Sequence, residues 1–445
     1  MSTTVVANPM PAGILTRRHA VVVFLAFAFA YFFSALIRAI TATLSPTLTQ
    51  EFALNAGDLG LLAGGYFFGF SLTQLPLGTW LDRYGPRKVL ASFLCVAVLG
   101  CLAFSVATSF TSLLAARVLC GVGVSCCLMA PLTAYRNWFD PASQLRANSW
   151  MLMTGSLGMV ASTLPVQWLM PHTGWRPLFL GLAALVLLAI VLVVWLVPAW
   201  PKAVQASARL AVDGVATANA QTRKTVGNTT SNSTGNTTGY AEVWRNPYFR
   251  KMVPIGFFCY GGLLAMQTLW VVPWMTRVAG YTPRQAATGF FWINVAMLLT
   301  FWAWGMVSPR LARKGLSADT LMARGLPLSF VLLALLIALG DSFKTHVEIL
   351  LALYCMACSF VSLSQPAVGM AFPQALAGRA LSGYNLILFV GIFVVQWGIG
   401  LLIDGFRAMG ASDVNAFRAA LTVFLVCCVA SYLHFVMTKI DHPTR

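Results

Sequence analysis

Two arginines stand where charge is unfavourable. Arg38 lies about two thirds of the way along an apolar run over roughly 20–44, and Arg117 lies in the first half of another over roughly 111–135. A guanidinium keeps its proton throughout the physiological range, so placing one in lipid costs at least a few kcal/mol unless a partner or a wet cavity receives it. The 12 acidic residues all fall in polar segments or close to the end of an apolar run. That leaves backbone carbonyls, water or an anionic ligand to face the two charges. Tyr31, Ser34 and Arg38 recur at i, i+3 and i+7, which puts them on one face of a helix as a polar stripe.

Other polar side chains inside apolar runs are candidates for the same cavity: Tyr260 and Gln267 at i and i+7, Asn294, Gln365, Asn385 and Gln396. Each is equally well read as interhelical glue, worth roughly 1 kcal/mol. Asp404 and Glu348 are the modest candidates for a titrating group. The rest of the catalytic repertoire is missing. There is no Gly-x-x-x-x-Gly-Lys-[Ser/Thr] loop for ATP, no His-Glu-x-x-His and no Ser-His-Asp arrangement, so neither an ATP-driven pump nor a hydrolase is expected. All 10 cysteines fall inside apolar runs, and the Cys355-x-x-Cys358 pair has no second pair or nearby His, which reads as packing. No metal and no cofactor is expected.

These residues need membrane helices to carry them. The chain has 445 residues, 58% hydrophobic and only 9% charged, which excludes a water-soluble globular enzyme. Twelve apolar runs are legible, at roughly 20–44, 57–81, 89–108, 111–135, 147–170, 178–198, 252–276, 286–307, 325–340, 347–371, 383–404 and 416–438. The net charge of +17 is scattered through the gaps between them, so nucleic acid is not an expected partner; the lipid bilayer is. With the N-terminus placed in the cytoplasm, about 21 of the 29 Lys and Arg fall on the cytoplasmic side, about 6 on the other, and two inside the membrane. Both termini are therefore expected in the cytoplasm, in a plasma membrane of bacterial inner-membrane type. The expected organisation is an all-α membrane protein of two pseudo-symmetric six-helix bundles, 19–198 and 249–438, with a cytoplasmic tail over 1–18, a central cytoplasmic loop over 199–248 and a tail over 439–445. The Asn/Thr/Ser/Gly stretch from Gly227 to Gly239 is too polar to fold alone, and its N-x-[ST] patterns at Asn228, Asn232 and Asn236 lie on the cytoplasmic side, away from glycosylation.

The halves look like copies. Gly78-Thr-Trp-Leu-Asp82-Arg83-Tyr-Gly85-Pro-Arg87-Lys88 follows span two, and a related Gly305-to-Gly315 segment follows span eight; Phe139…Arg146 after span four has its counterpart in Phe372…Arg379 after span ten. Duplication around a long central loop is how many secondary transporters are built, with the site between the halves near mid-membrane. Asp82 falls at the negative end of its helix, so Arg83, Arg87, Lys88 or another helix's N-terminus must face it. Gly78 would admit a close neighbour, and Gly85 with Pro86 would make the turn. A solvated loop whose charges serve topology is the competing reading.

The Gly78–Lys88 stretch resembles the loop signature of the major facilitator superfamily, Arg117-Val-Leu-Cys-Gly121-Val-Gly123 resembles its second motif, and Gly174-Trp175-Arg176 is similar to a further family feature. The resemblance implies that Asp82 closes the cytoplasmic side against the start of span eleven, around Ser382 and Gly383, and that Arg117 and Gly121 serve coupling or helix packing. Tyr31…Arg38, Pro46 and Gly57-Asp58-Leu59 resemble the organophosphate:phosphate antiporter and organic anion branch, in which the first-helix Arg binds phosphate with a second Arg on helix seven. Here that second region reads Leu264-Ala-Met-Gln267, without Arg, so a singly charged carboxylate becomes the more plausible ligand. The expectation is a gradient-driven secondary transporter, a functional monomer, moving a small organic carboxylate or phosphate ester by alternating access. A multidrug or cation efflux antiporter and a facilitator-fold solute sensor are the alternatives.

Overall fold

A computed structural model describes residues 15–200, 240–340 and 346–438. The tail over 439–445, most of the tail over 1–18 and the central stretch 201–239, with its three Asn patterns, lie outside the described residues. Every regular element among the described residues is helical. Ten helices are long and apolar enough to cross a membrane. Two interrupted helices complete the twelve: Ala56–Leu72 continued by Gln74–Tyr84, and Pro141–Ala161 continued by Leu164–Thr173. In chain order the spans are α1 (Arg17–Glu51), α2 (Ala56–Leu72 with Gln74–Tyr84), α3 (Pro86–Ser105), α4 (Phe110–Trp138), α5 (Pro141–Ala161 with Leu164–Thr173), α6 (Trp175–Leu196), α7 (Pro247–Arg277), α8 (Pro283–Arg313), α9 (Ala318–Leu339), α10 (Val347–Met370), α11 (Gln374–Ala408) and α12 (Asp413–Met437).

Local chemistry explains the breaks and continuities. At the α2 break the Thr73 hydroxyl bonds the Phe70 carbonyl at 3.0 Å, and at the α5 break the Ser162 and Thr163 hydroxyls donate to the Met159 and Val160 carbonyls, which also accept the N–H groups of the same two residues at 3.2 Å, so side chains reinforce a tightened turn. Helix α1 runs through Pro46 to Glu51, well past the expected end near 44. Pro46 has no N–H for the Ala42 carbonyl, and the Ser45 hydroxyl supplies the missing bond at 2.8 Å. Likewise α8 reaches Arg313 and α9 begins at Ala318, and a short helix, Tyr240–Arg245, falls inside the stretch expected as loop.

Small residues set the spacing, as they must where lipid offers no hydrophobic drive. A Cβ at Gly121 or Gly69 would enter the backbone across the α2–α4 contact, one at Gly100 would stand 2.7 Å from the Cys120 nitrogen across α3–α4, and one at Gly158 would meet the Phe32 carbonyl across α1–α5. Between the bundles the seams are α2 with α11, α5 with α8, and α1 with α7. Exchanging each helix for its counterpart six positions on converts the first seam into the second, the signature of a pseudo-twofold relation between halves.

Candidate functional site

Arg38 sits midway along the 35-residue α1 with its Nε buried and unpartnered. The groups facing its guanidinium are Tyr66 of α2, within hydrogen-bonding reach, Tyr31 of its own helix, and Tyr260 from the other bundle. Tyr66 donates its single proton to the Ser34 carbonyl at 3.3 Å, which leaves its oxygen lone pairs toward Arg38. Cys127 of α4 also faces Ser34 and Arg38. Gly155 of α5 fixes Tyr31, since a Cβ there would stand 2.6 Å from the ring. Ion pairs among the described residues all lie at or near helix ends, so no carboxylate neutralises Arg38.

Arg117 has a different surrounding. Fully buried, it donates through Nη1 to the Ile37 carbonyl at 2.8 Å and through Nη2 to the Arg38 carbonyl at 3.2 Å, with its guanidinium 5.1 Å from the centre of the Tyr66 ring. One turn on, Gly121 abuts the Tyr66 carbonyl. Together they fasten α4 to α1 and α2 directly behind Arg38. The other polar candidates bond one another: Gln267 donates to Asn294 at 3.2 Å across α7–α8, Gln365 donates to Asn385 across α10–α11, and Gln396 donates to Thr268 at 3.3 Å across α11–α7. The structure thus gathers Tyr31, Ser34 and Tyr260 at Arg38 and ties the five amides into interhelical pairs. Tyr66 and Cys127 escaped the sequence reading. The run Gly64-Gly65-Tyr66 inside an apolar helix was the available signal for the first; Cys127 carried none.

At the face carrying the described chain ends, Gly85 has a φ of 82°, as the turn before Pro86 requires, and Trp200 packs where a Cβ would stand. Asp82 is exposed, and the positive charge acting on it is Arg136 at the end of α4. This corrects the expected partners. Arg83 lies 5.3 Å from the Tyr84 ring centre, while Arg87 and Lys88 occupy the first turn of α3. Gly78 has nothing within 4 Å of a built Cβ, and Gly383 meets only Phe249 at 3.7 Å, so neither is a point of close helix approach in this conformation.

The opposite face is sealed. Asp404, near the end of α11, accepts the N–H of Ala56 at 3.1 Å and of Gly57 at 2.5 Å, the first N–H groups of α2. A carboxylate at a helix N-terminus is favourable both as a cap and with the helix dipole. Arg407 holds Asp404 at 3.4 Å and Asp413 at 2.9 Å. Below this contact a Cβ on Gly60 would stand 2.6 Å from the Gln396 carbonyl, which also accepts Trp270 Nε1 at 3.0 Å. Each bundle has its own tie on this face. Glu51 receives Arg176 and Trp175, both at 2.7 Å, and Tyr281 donates to Glu348 at 2.6 Å. Burial and that bond to a carboxylate push the Tyr281 phenol above its ordinary range.

Sealed on one face, with a buried charge at the centre and two six-helix halves, the molecule has the architecture of an alternating-access carrier. The chain belongs to the Major Facilitator Superfamily, whose profile matches residues 27–439; it is a multi-pass membrane protein. A probable chloroplastic anion transporter 1 from Oryza sativa subsp. japonica is 23% identical over 400 residues, covering 85% of this chain and 69% of the relative. The D-galactonate transporter of Escherichia coli O6:H1 is 23% identical over 395 residues, covering 83% and 86%. Among solved structures, a bacterial homolog to the human lysosomal transporter Spinster, inward-facing and unoccupied, superposes with a TM-score of 0.72 at 15% identity, covering 95% of this chain and 98% of that one.

Proposed function

We propose that the protein is a secondary transporter that moves a small organic anion, foremost a carboxylate, across the membrane by alternating access. The observation that carries this reading is Arg38, a permanent charge at mid-span ringed by tyrosines rather than by a carboxylate. A carboxylate makes two parallel charge-assisted bonds to guanidinium, and the tyrosines of both bundles supply further donors, so one ligand links the halves. Relatives named as anion and galactonate transporters support the same class. With Gln267 bonded to Asn294 and no Arg in the middle of α7, over Leu264–Trp270, the site offers one full positive charge from its walls, which suits a singly charged ligand.

The face bearing the chain ends is assigned to the cytoplasm by the excess of Lys and Arg in its connections, and the membrane to the plasma membrane. On that reading the tied face is the outer one, the conformation is inward-facing, and the carrier works as a monomer. Asp82 with Arg136 belongs to the cytoplasmic gate, engaged when the carrier turns outward, and Asp404 to the outer one. A thermal-shift screen of the purified protein against organic acids, phosphate esters, amino acids and cationic drugs tests the reading, because a ligand of the folded state raises its melting temperature. Stabilisation by anions that vanishes in Arg38→Ala is expected; stabilisation by cations alone, or by anions equally in both proteins, overturns it.

A further inference from the structure

The polar stripe of α1 does not end at Arg38. Residues seven apart share a helix face, and the series Tyr31, Arg38 continues to Ser45. Ser45 and Thr49 line a cavity of about 490 Å³ that opens on the face opposite the chain ends. Two arginines enter its lining, Arg277 from the end of α7 and Arg407 from the end of α11, and no carboxylate side chain does. They are not equivalent. Arg407 is engaged by Asp404 and Asp413, whereas Arg277 is exposed and enters none of the ion pairs formed among the described residues. Asn55, also in the lining, turns its Oδ1 to the Asp58 N–H at 2.6 Å, which leaves its amide NH2 as a donor beside Thr49.

We propose that this vestibule is a second, peripheral anion site, in which Arg277 holds a small carboxylate in line with Arg38 but outside the α2–α11 seal. The proposal rests on the reading of the protein as an anion carrier and adds a capture step to it. A positive charge in a cleft concentrates anions and speeds their arrival, and because Arg277 is open to water its hold is weak and screened by salt. The Asp404 contact separates the two stations, so the vestibule fills while the central site is still closed from this side.

Binding of trifluoroacetate to the full-length protein in nanodiscs, followed by ¹⁹F line broadening at low and high salt, tests this. Wild type should give a tight component and a weak, salt-sensitive one. Arg38→Ala should keep the weak component, and adding Arg277→Gln should cut what remains at least about threefold, the kind of loss a rim charge produces. Arg277→Gln alone should remove the salt-sensitive part and spare the tight one, a control that does not depend on how Arg38→Ala folds. Disappearance of all broadening in a folded Arg38→Ala protein, or a salt-sensitive component indifferent to Arg277→Gln, overturns the vestibule and leaves the central site standing. No broadening in wild type, or broadening unchanged by both substitutions, overturns both.

Discussion

Arg38 and Arg117 have the same side chain at similar depth in the first bundle and do opposite things, because their partners differ. Arg117 spends two N–H groups on the Ile37 and Arg38 carbonyls, while Arg38 keeps its head toward hydroxyls that both donate and accept. Arg38→Lys preserves the charge but not the parallel pair of bonds; losing one charge-assisted bond of about 1.5 kcal/mol should weaken anion binding about tenfold, measurable as a lost thermal shift. Arg117→Met is expected to keep the fold, since the apolar side chain removes the desolvation cost of a buried charge that has no ion-pair partner. It should nevertheless weaken anion binding several-fold, because the α1 backbone beneath Arg38 loses its tie. A melting temperature near wild type with reduced anion stabilisation would identify Arg117 as a positioning residue; unchanged binding would deny it that role.

At the scale of elements, packing is set by glycine. Gly121 lets α4 touch the α2 backbone at Tyr66, so Gly121→Val should force the helices apart and lower the melting temperature, as overpacking by about 1–3 kcal/mol does. The seam between bundles answers differently, because its two sides separate during function. Gly60→Val would wedge α2 from α11 at the Gln396 carbonyl, and the expected result is greater labelling from the sealed face with little change in melting temperature. Helix α7 carries two π segments, Gly256–Tyr260 and Met266–Trp270, and such wide turns re-aim side chains, often at functional sites. They explain why Tyr260 and Gln267, seven apart in sequence, part company: one faces Arg38 and the other bonds Asn294.

For the whole molecule the two gates should respond with opposite sign. Asp404→Ala removes the carboxylate from α11 that caps the α2 N-terminus; at the about 1–2 kcal/mol a helix cap is worth, this corresponds to a population shift of roughly 5–30-fold toward opening on the sealed face. Asp82→Asn should instead favour the conformation seen here, because Asp82 is exposed in it and is assigned to the contact formed when the carrier turns over. Cysteine accessibility measured from both faces, in both variants, distinguishes these outcomes; shifts in the same direction would remove Asp404 or Asp82 from its gate.

From the amino-acid sequence alone the twelve apolar spans, the duplication and the absence of a carboxylate from the middle of any span were legible, because lipid imposes length and polarity on a segment without reference to its neighbours. The Tyr31–Ser34–Arg38 stripe was legible for the same local reason, being a periodicity within one helix. What neighbours a residue across helices was not. Tyr66 beside Arg38, Arg117 on the α1 carbonyls, Arg136 opposite Asp82 and Asp404 on the α2 N-terminus all join residues at least 28 positions apart. Only the packing of whole helices through their glycines could decide those pairings, and the same packing turned the amide candidates toward polar side chains of neighbouring helices instead of toward the central arginine.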